Sequence, residues 1–173
     1  MGRRRISGHV ILRDAGEQDI PLILEFIRGL AEYERLLDQV SATEDGLAKS
    51  LFQDRAAEVL ICEYREKPAG FALYFHNFST FLGRPGIYIE DLFVKPEYRG
   101  KGLGKALFAR IAAIAVERDC GRLEWSCLDW NEPSIEFYKS RGGRPLDGWT
   151  TYRVTADALK KLAGEGQYYR PTE

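Results

Sequence analysis

The sequence predicts a single α/β domain of α+β type, a mixed sheet with helices on both faces. Three observations predict it. Strand-like and helix-like segments alternate in the order β-α-α-β-β-β-α-β-α-β. The 173 residues are 45% hydrophobic and 29% charged, which gives one domain an ordinary core and is too apolar for disorder. No repeat, low-complexity tract or linker interrupts the pattern. The expected limits are a flexible N-terminus over 1–9, one domain over 10–163 and a C-terminal tail over 164–173.

Each element has a local reason. Val10–Arg13 is a short apolar strand, and Asp14–Asp19 a polar turn. Pro21 sits where a first helical turn tolerates it, and Ile23, Phe26, Ile27 and Leu30 recur at helical spacing, predicting a helix to about Arg35. Ser41-x-x-Glu44 has the form of a capping box for a helix carrying Leu47 and Leu51. Three strand-like runs follow: Glu58–Tyr64, which ends in a turn over Arg65–Pro68, then Gly70–Phe78 and Ile87–Val94. Leu103, Leu107, Ile111, Ile114 and Ala115 mark a long helix that Gly121 would stop. Arg122–Leu128 is a further strand. Asn131-Glu132-Pro133-Ser134 opens a shorter helix that Gly142-Gly143 ends, with a last strand over Thr150–Val154 and a closing helix over Thr155–Ala163.

Composition excludes several functions. Lys and Arg number 25 against 26 Asp and Glu, a net charge of −1, which lacks the basic excess of a duplex nucleic-acid binder. No run reaches the roughly 18–20 apolar residues of a membrane helix. The basic start Met1–Ser7 has no apolar stretch after it, so it is not a secretory signal, and Ile6 stands where N-myristoylation wants Ser or Thr. Cys62, Cys120 and Cys127 form no C-x-x-C pair, and His9 and His76 lie near none of them. No metal site is expected; three reduced thiols suit the cytosol.

The chemically distinctive segment is Arg99-Gly100-Lys101-Gly102-Leu103-Gly104-Lys105, between a strand and a helix. A helix start offers unpaired N–H groups and the positive end of its dipole. Alternating glycines let the backbone approach an anion, and three cations add charge, so a phosphate or pyrophosphate is the expected ligand. A P-loop is excluded because Ala106 follows Lys105. A dinucleotide fold stays open on Glu124, about 20 residues on, although the spacing G-x-G-x-G departs from its pattern.

The same segment resembles the R/Q-x-x-G-x-G/A motif of the GNAT N-acetyltransferases. Tyr88–Val94 is similar to that family's fourth strand, and Asn131–Tyr138 with Lys139–Gly142 to its N-x-x-(A/S)-x-x-x-Y-x-x-x-G helix. Ala31–Glu34, Tyr88–Asp91, Tyr98–Gly100, Trp130–Ser134, Phe137–Lys139 and Gly148-Trp149 together resemble the diamine acetyltransferases, which include spermidine/spermine and thialysine enzymes. The likeness runs from about Val10 to Ala163. It implies a mostly antiparallel sheet with a splayed cleft for acetyl-CoA as cosubstrate, and no metal. Arg99, Gly100, Lys101, Gly102, Leu103, Gly104 and Lys105 would hold the pyrophosphate. Leu92, Phe93 and Val94 would pair with pantetheine, and Asn131, Pro133 and Ser134 would lie on the cofactor side.

An alkyl amine, with a pKa of about 10.4, arrives protonated at neutral pH and needs a base before it can attack a thioester. Glu90 and Asp91 are the candidates; as strand neighbours they should point to opposite faces. The resemblance assigns the base to Glu90 and the general acid for the leaving thiolate to Tyr138. It places Tyr33, Glu34 and, more loosely, Asp147 at the amine. Ser79 and Phe81 stand where the polyamine enzymes carry an acid and a Trp, which favours a thialysine-type acceptor over a long polyamine. The implied enzyme is a cytoplasmic homodimer, without nucleic-acid or membrane partners, that acetylates a small cationic amine directly in a ternary complex. A protein lysine or N-terminal acetyltransferase and a non-catalytic acyl-CoA sensor are the alternatives.

Overall fold

A computed structural model describes residues 4–6 and 8–165. The first three residues, Ser7 and the tail from 166 lie outside the described residues. Six strands form one sheet in sequential order: β1 (Arg4–Arg5), β2 (Val10–Asp14), β3 (Glu58–Tyr64), β4 (Lys67–Ser79), β5 (Arg84–Val94) and β6 (Leu123–Trp125). Every neighbouring pair is antiparallel except β5 and β6, which are parallel. The helices are α1 (Ile20–Tyr33), α2 (Glu44–Leu47), α3 (Leu103–Glu117), α4 (Glu132–Lys139) and α5 (Ala156–Glu165). None among the described residues is long and apolar enough to cross a membrane. The chain divides into two compact units, one up to Ser126 and one from Cys127.

In the first unit, strand alternation sends side chains to both faces of the sheet, and both faces are buried. Val59, Ile61, Phe71 and Phe93 share a cluster with Ile23 and Phe26 of α1 and with Leu51. Phe26 stacks on Phe71 with ring centroids 5.2 Å apart. On the other face lie Leu60, Cys62, Ala72, Tyr74, Ile87 and Ile89, all buried. There α3 buries Leu107, Ile111 and Ile114, and its Phe108 meets Trp125 of β6 edge-on at 5.1 Å. Burying each large apolar side chain contributes roughly 1.5–3 kcal/mol.

The start of α1 is fixed by charge. Arg13 of β2 donates to both carboxylate oxygens of Asp19, at 2.7 and 2.8 Å, and to Glu63 of β3 at 2.7 Å. The hydrogen bonds from Arg13 hold the Asp19 carboxyl below its usual range. Asp19 also accepts the Gly16 N–H. This tie anchors the start of α1 to β2 and β3.

Several expected boundaries move for local reasons. Arg4–Arg5 pair with Leu12 and Ile11 as an exposed edge strand. The first long helix stops at Tyr33, because Arg35 takes a left-handed φ of +62°. The cap of α2 is Thr43, not Ser41: its Oγ1 accepts the Gly46 N–H at 3.1 Å. The β3–β4 turn is tighter than Arg65–Pro68, since Arg65 and Glu66 both adopt positive φ and Pro68 already lies in β4. Asp119, at φ +55°, occupies the left-handed position after α3 that Gly121 was expected to fill; an Asp tolerates it through its short polar side chain.

The C-terminal part of the sequence departs furthest. In the first unit, the strand expected over Arg122–Leu128 shortens to Leu123–Trp125; in the second, residues 150–154 form no strand. Their β-branched and aromatic character does not suffice without a neighbouring strand to pair with. Gly142, at φ +86°, lies just beyond α4 where a left-handed residue is needed.

Candidate active site

The acidic part of the site is built by a β-bulge. Leu73 of β4 faces Asp91 and Tyr74 faces Ile89, so Glu90 is the extra residue. The simple alternation expected for Glu90 and Asp91 breaks at that point. Glu90 is exposed. Asp91 stands opposite Leu73, which packs on the cluster shared with α1. Burial first, then the negative charges of Glu90 and Glu34, push the Asp91 carboxyl up to about 7. Glu34, directly after α1, is half-buried, and burial raises its pKa as well. The fold thus brings two predicted residues, Glu34 and Glu90, into the field of a third carboxylate that the sequence placed elsewhere.

Next to this cluster the sheet opens. The last β5–β6 pair is Ile89 with Trp125, and β5 continues to Val94 beyond it. The Lys95 N–H donates to the Ala69 carbonyl of β4 at 2.9 Å. By the two-residue period, Phe93 therefore turns its backbone to β4, while Leu92 and Val94 turn theirs to the open side. Arg99 reaches the Val94 carbonyl there, its Nε donating at 3.1 Å. The ring of Phe93 belongs to the core, 5% exposed, against Phe26. Gly70 permits this close strand approach: a Cβ at that position would lie 2.4 Å from the Phe93 carbonyl oxygen.

The glycine loop joins this edge to α3. Gly100 and Gly102 adopt φ of +75° and +80°, and a Cβ at either would meet nothing within 4 Å. Both therefore face open space, in a conformation that L side chains avoid. The Ala106 N–H donates to the Gly102 carbonyl at 3.0 Å; the amides of Leu103, Gly104 and Lys105 precede that bond and have no earlier helical acceptor. Leu103 buries its side chain in the core, so only its backbone serves the loop. Lys101 donates to the Glu97 carbonyl at 2.6 Å, and Lys105 is exposed on the first turn of α3. An open, cationic cradle with unpaired amides fits the pyrophosphate of acetyl-CoA. Among the described residues no group of His, Cys, Asp or Glu could hold a metal ion.

In the second unit, Asn131 caps α4, its side chain accepting the Ser134 N–H, and is 5% exposed. Pro133 occupies the first turn. Tyr138 is half-buried on the last turn, its ring 5.3 Å from that of Phe137. Asp147 is exposed in the segment after α4. In the first unit, Ser79 is buried and its Oγ accepts the Leu82 N–H, while Phe81 is almost fully exposed. Burial pushes the Cys62 thiol up to about 12, which removes it as a nucleophile at neutral pH. Sequence reasoning missed the environment of Asp91 and the contact between Tyr33 and Arg99, whose guanidinium lies 4.4 Å from the ring centroid. Both depend on chain segments far apart in sequence.

Known proteins resemble this chain. Residues 25–142 match the model of the Acetyltransferase (GNAT) family. The chain is 38% identical to the thialysine N-epsilon-acetyltransferase of Sus scrofa, over 90% of this chain and 98% of that protein. It is 32% identical to the L-ornithine N5-acetyltransferase of Arabidopsis thaliana, over 87% and 86% of the two chains. Among solved structures, an integron cassette protein from the mobile metagenome of V. cholerae superposes with a TM-score of 0.75 at 29% identity, covering 91% of this chain and 99% of the other. Fold, glycine loop and relatives agree: this chain is an N-acetyltransferase belonging to the GNAT family.

Proposed function

We propose that the enzyme transfers the acetyl group of acetyl-CoA directly to a primary amine of a small cationic substrate: a diamine, a polyamine or a thialysine-like amino acid. The observation that carries this reading is the carboxylate cluster of Glu34, Glu90 and Asp91. Burial, then the negative charges of Glu90 and Glu34, push the Asp91 carboxyl up to about 7, and an ammonium entering the cluster would offset the cost of its charged form. The relatives named for thialysine and L-ornithine act on amino acids that carry a side-chain amine.

Each residue then has a role. The loop from Arg99 to Lys105 holds the pyrophosphate with backbone amides and cations. Leu92 and Val94 offer backbone groups to pantetheine as an added strand would, and to the oxygen that gains charge. Acetyl-CoA supplies the activated acetyl thioester. Glu34 holds the ammonium, and Glu90 takes its proton, directly or through water, so that the free amine can attack. Tyr138 returns a proton to the departing sulfur; this role comes from the motif that α4 matches. On the same likeness, Asn131, Pro133 and Ser134 belong to the cofactor side and Asp147 to the amine side. The high pKa of Cys62 supports transfer without an acyl-enzyme.

The reading also carries a cytoplasmic homodimer. Leu146, Trp149, Tyr152 and Val154 stand exposed, large apolar side chains that a second copy would cover.

Substituting Tyr138→Phe tests the proposal. It should lower kcat by roughly 10²–10⁴ while acetyl-CoA binding stays near wild type. An unchanged kcat would return Tyr138 to a packing role.

A further inference from the structure

Resting on the reading of the glycine loop as the pyrophosphate seat, we infer that Tyr33 is a positioning residue for Arg99 and so governs acetyl-CoA rather than the amine. The likeness to diamine acetyltransferases placed Tyr33 in the amine pocket, with its ring facing a substrate cation. The cation that the structure sets against that ring is the protein's own. The Arg99 guanidinium carbon lies 4.4 Å from the Tyr33 centroid, within cation–π range.

Two anchors define the guanidinium. Its Nε donates to the Val94 carbonyl at 3.1 Å, on the side where β5 has no strand partner among the described residues. Its central carbon lies over the Tyr33 ring. Among the described residues no carboxylate pairs with Arg99, so its two terminal nitrogens are left for an external anion. Arg99 is exposed and would otherwise sample many rotamers. Fixing it before the anion arrives lowers the ordering cost of binding.

Tyr33 is suited to this task by its place. It is the last residue of α1, and the chain behind it is pinned by Glu34 N–H to the Leu30 carbonyl at 2.9 Å and Leu36 N–H to the Ala31 carbonyl at 2.8 Å. Lys101 is held in the same style, over the rings of Tyr98 and Tyr64 at 5.7 and 5.9 Å. The end of α1 therefore serves both substrates: Tyr33 through Arg99, Glu34 directly.

The test is a double-mutant cycle with Tyr33→Ala and Arg99→Ala, with Tyr33→Phe as the conservative control. Acetyl-CoA binding would be measured by calorimetry and both KM values by kinetics. Tyr33→Ala should weaken acetyl-CoA binding about two- to fivefold, as expected for a cation–π contact at an exposed site. The amine KM should stay at its wild-type value. Tyr33→Phe should bind like wild type, and the double variant no more weakly than Arg99→Ala alone. Additive losses, or a raised amine KM with normal acetyl-CoA binding in Tyr33→Ala, would overturn the inference. Normal binding in Arg99→Ala would overturn the loop reading as well, which separates the two failures.

Discussion

Asp91 is the residue whose state depends most on its surroundings. Its carboxyl is pushed up to about 7 by burial, then by Glu90 and Glu34. Because the folded-state pKa exceeds the unfolded one, the folded protein binds this proton more tightly. Stability from this group is full below pH 4 and is lost as pH rises through 7. Asp91→Asn removes the buried charge. It should stabilise the protein by roughly 2–4 kcal/mol at pH 8 and by nothing near pH 4, read from thermal unfolding at the two values. Equal stability of variant and wild type at pH 8 would mean that the carboxylate is not forced to carry a buried charge. At this scale the sequence was partly legible. It marked Glu34 and Glu90 through the family likeness. It assigned Asp91 to the opposite face because strand alternation was assumed, and the bulge that breaks alternation has no signature in Tyr88–Val94. The partnership of Tyr33 with Arg99 was hidden for a different reason: it joins a helix end to a loop more than sixty residues later.

Among the elements, the glycine loop carries the most of the proposed function. Gly102 starts α3 with φ +80° and has open space beside it. A side chain there is strained by roughly 1–2 kcal/mol and would occupy the space assigned to the pyrophosphate. Gly102→Val should therefore abolish measurable acetyl-CoA binding while far-UV circular dichroism stays native. Normal binding by the folded variant would place the pyrophosphate elsewhere. This element was readable in advance because its glycines and cations are contiguous and its chemistry is local. Helix α1 and strands β3 to β5 were readable too, since Ile23, Phe26, Val59, Ile61 and Phe71 mark their buried faces by period alone. Capping was less legible. Ser41 and Thr43 are both good N-caps, and the choice of Thr43 rests on one hydrogen bond to Gly46. Residues 150–154 show the limit of propensity, because a strand-like composition forms no strand without a partner.

At the scale of the molecule, the fold class was legible because alternating element types leave few architectures. The mostly antiparallel sheet with one parallel pair at its edge agrees with what the family likeness implied. Acceptor identity is less legible, since on the proposed reading it rests on a few side chains such as Glu34 and Asp91 that no contiguous motif unites. The central claim is acetyl transfer to a small cationic amine. Its most direct test is release of the CoA thiol from acetyl-CoA by the purified protein. The amines would be spermidine, putrescine, thialysine, lysine, ornithine, simple amino acids and a lysine peptide. Turnover should be found with at least one small diamine or amino-acid side-chain amine and exceed that with the peptide. Measurable acetyl-CoA binding without turnover on any small amine would contradict the account.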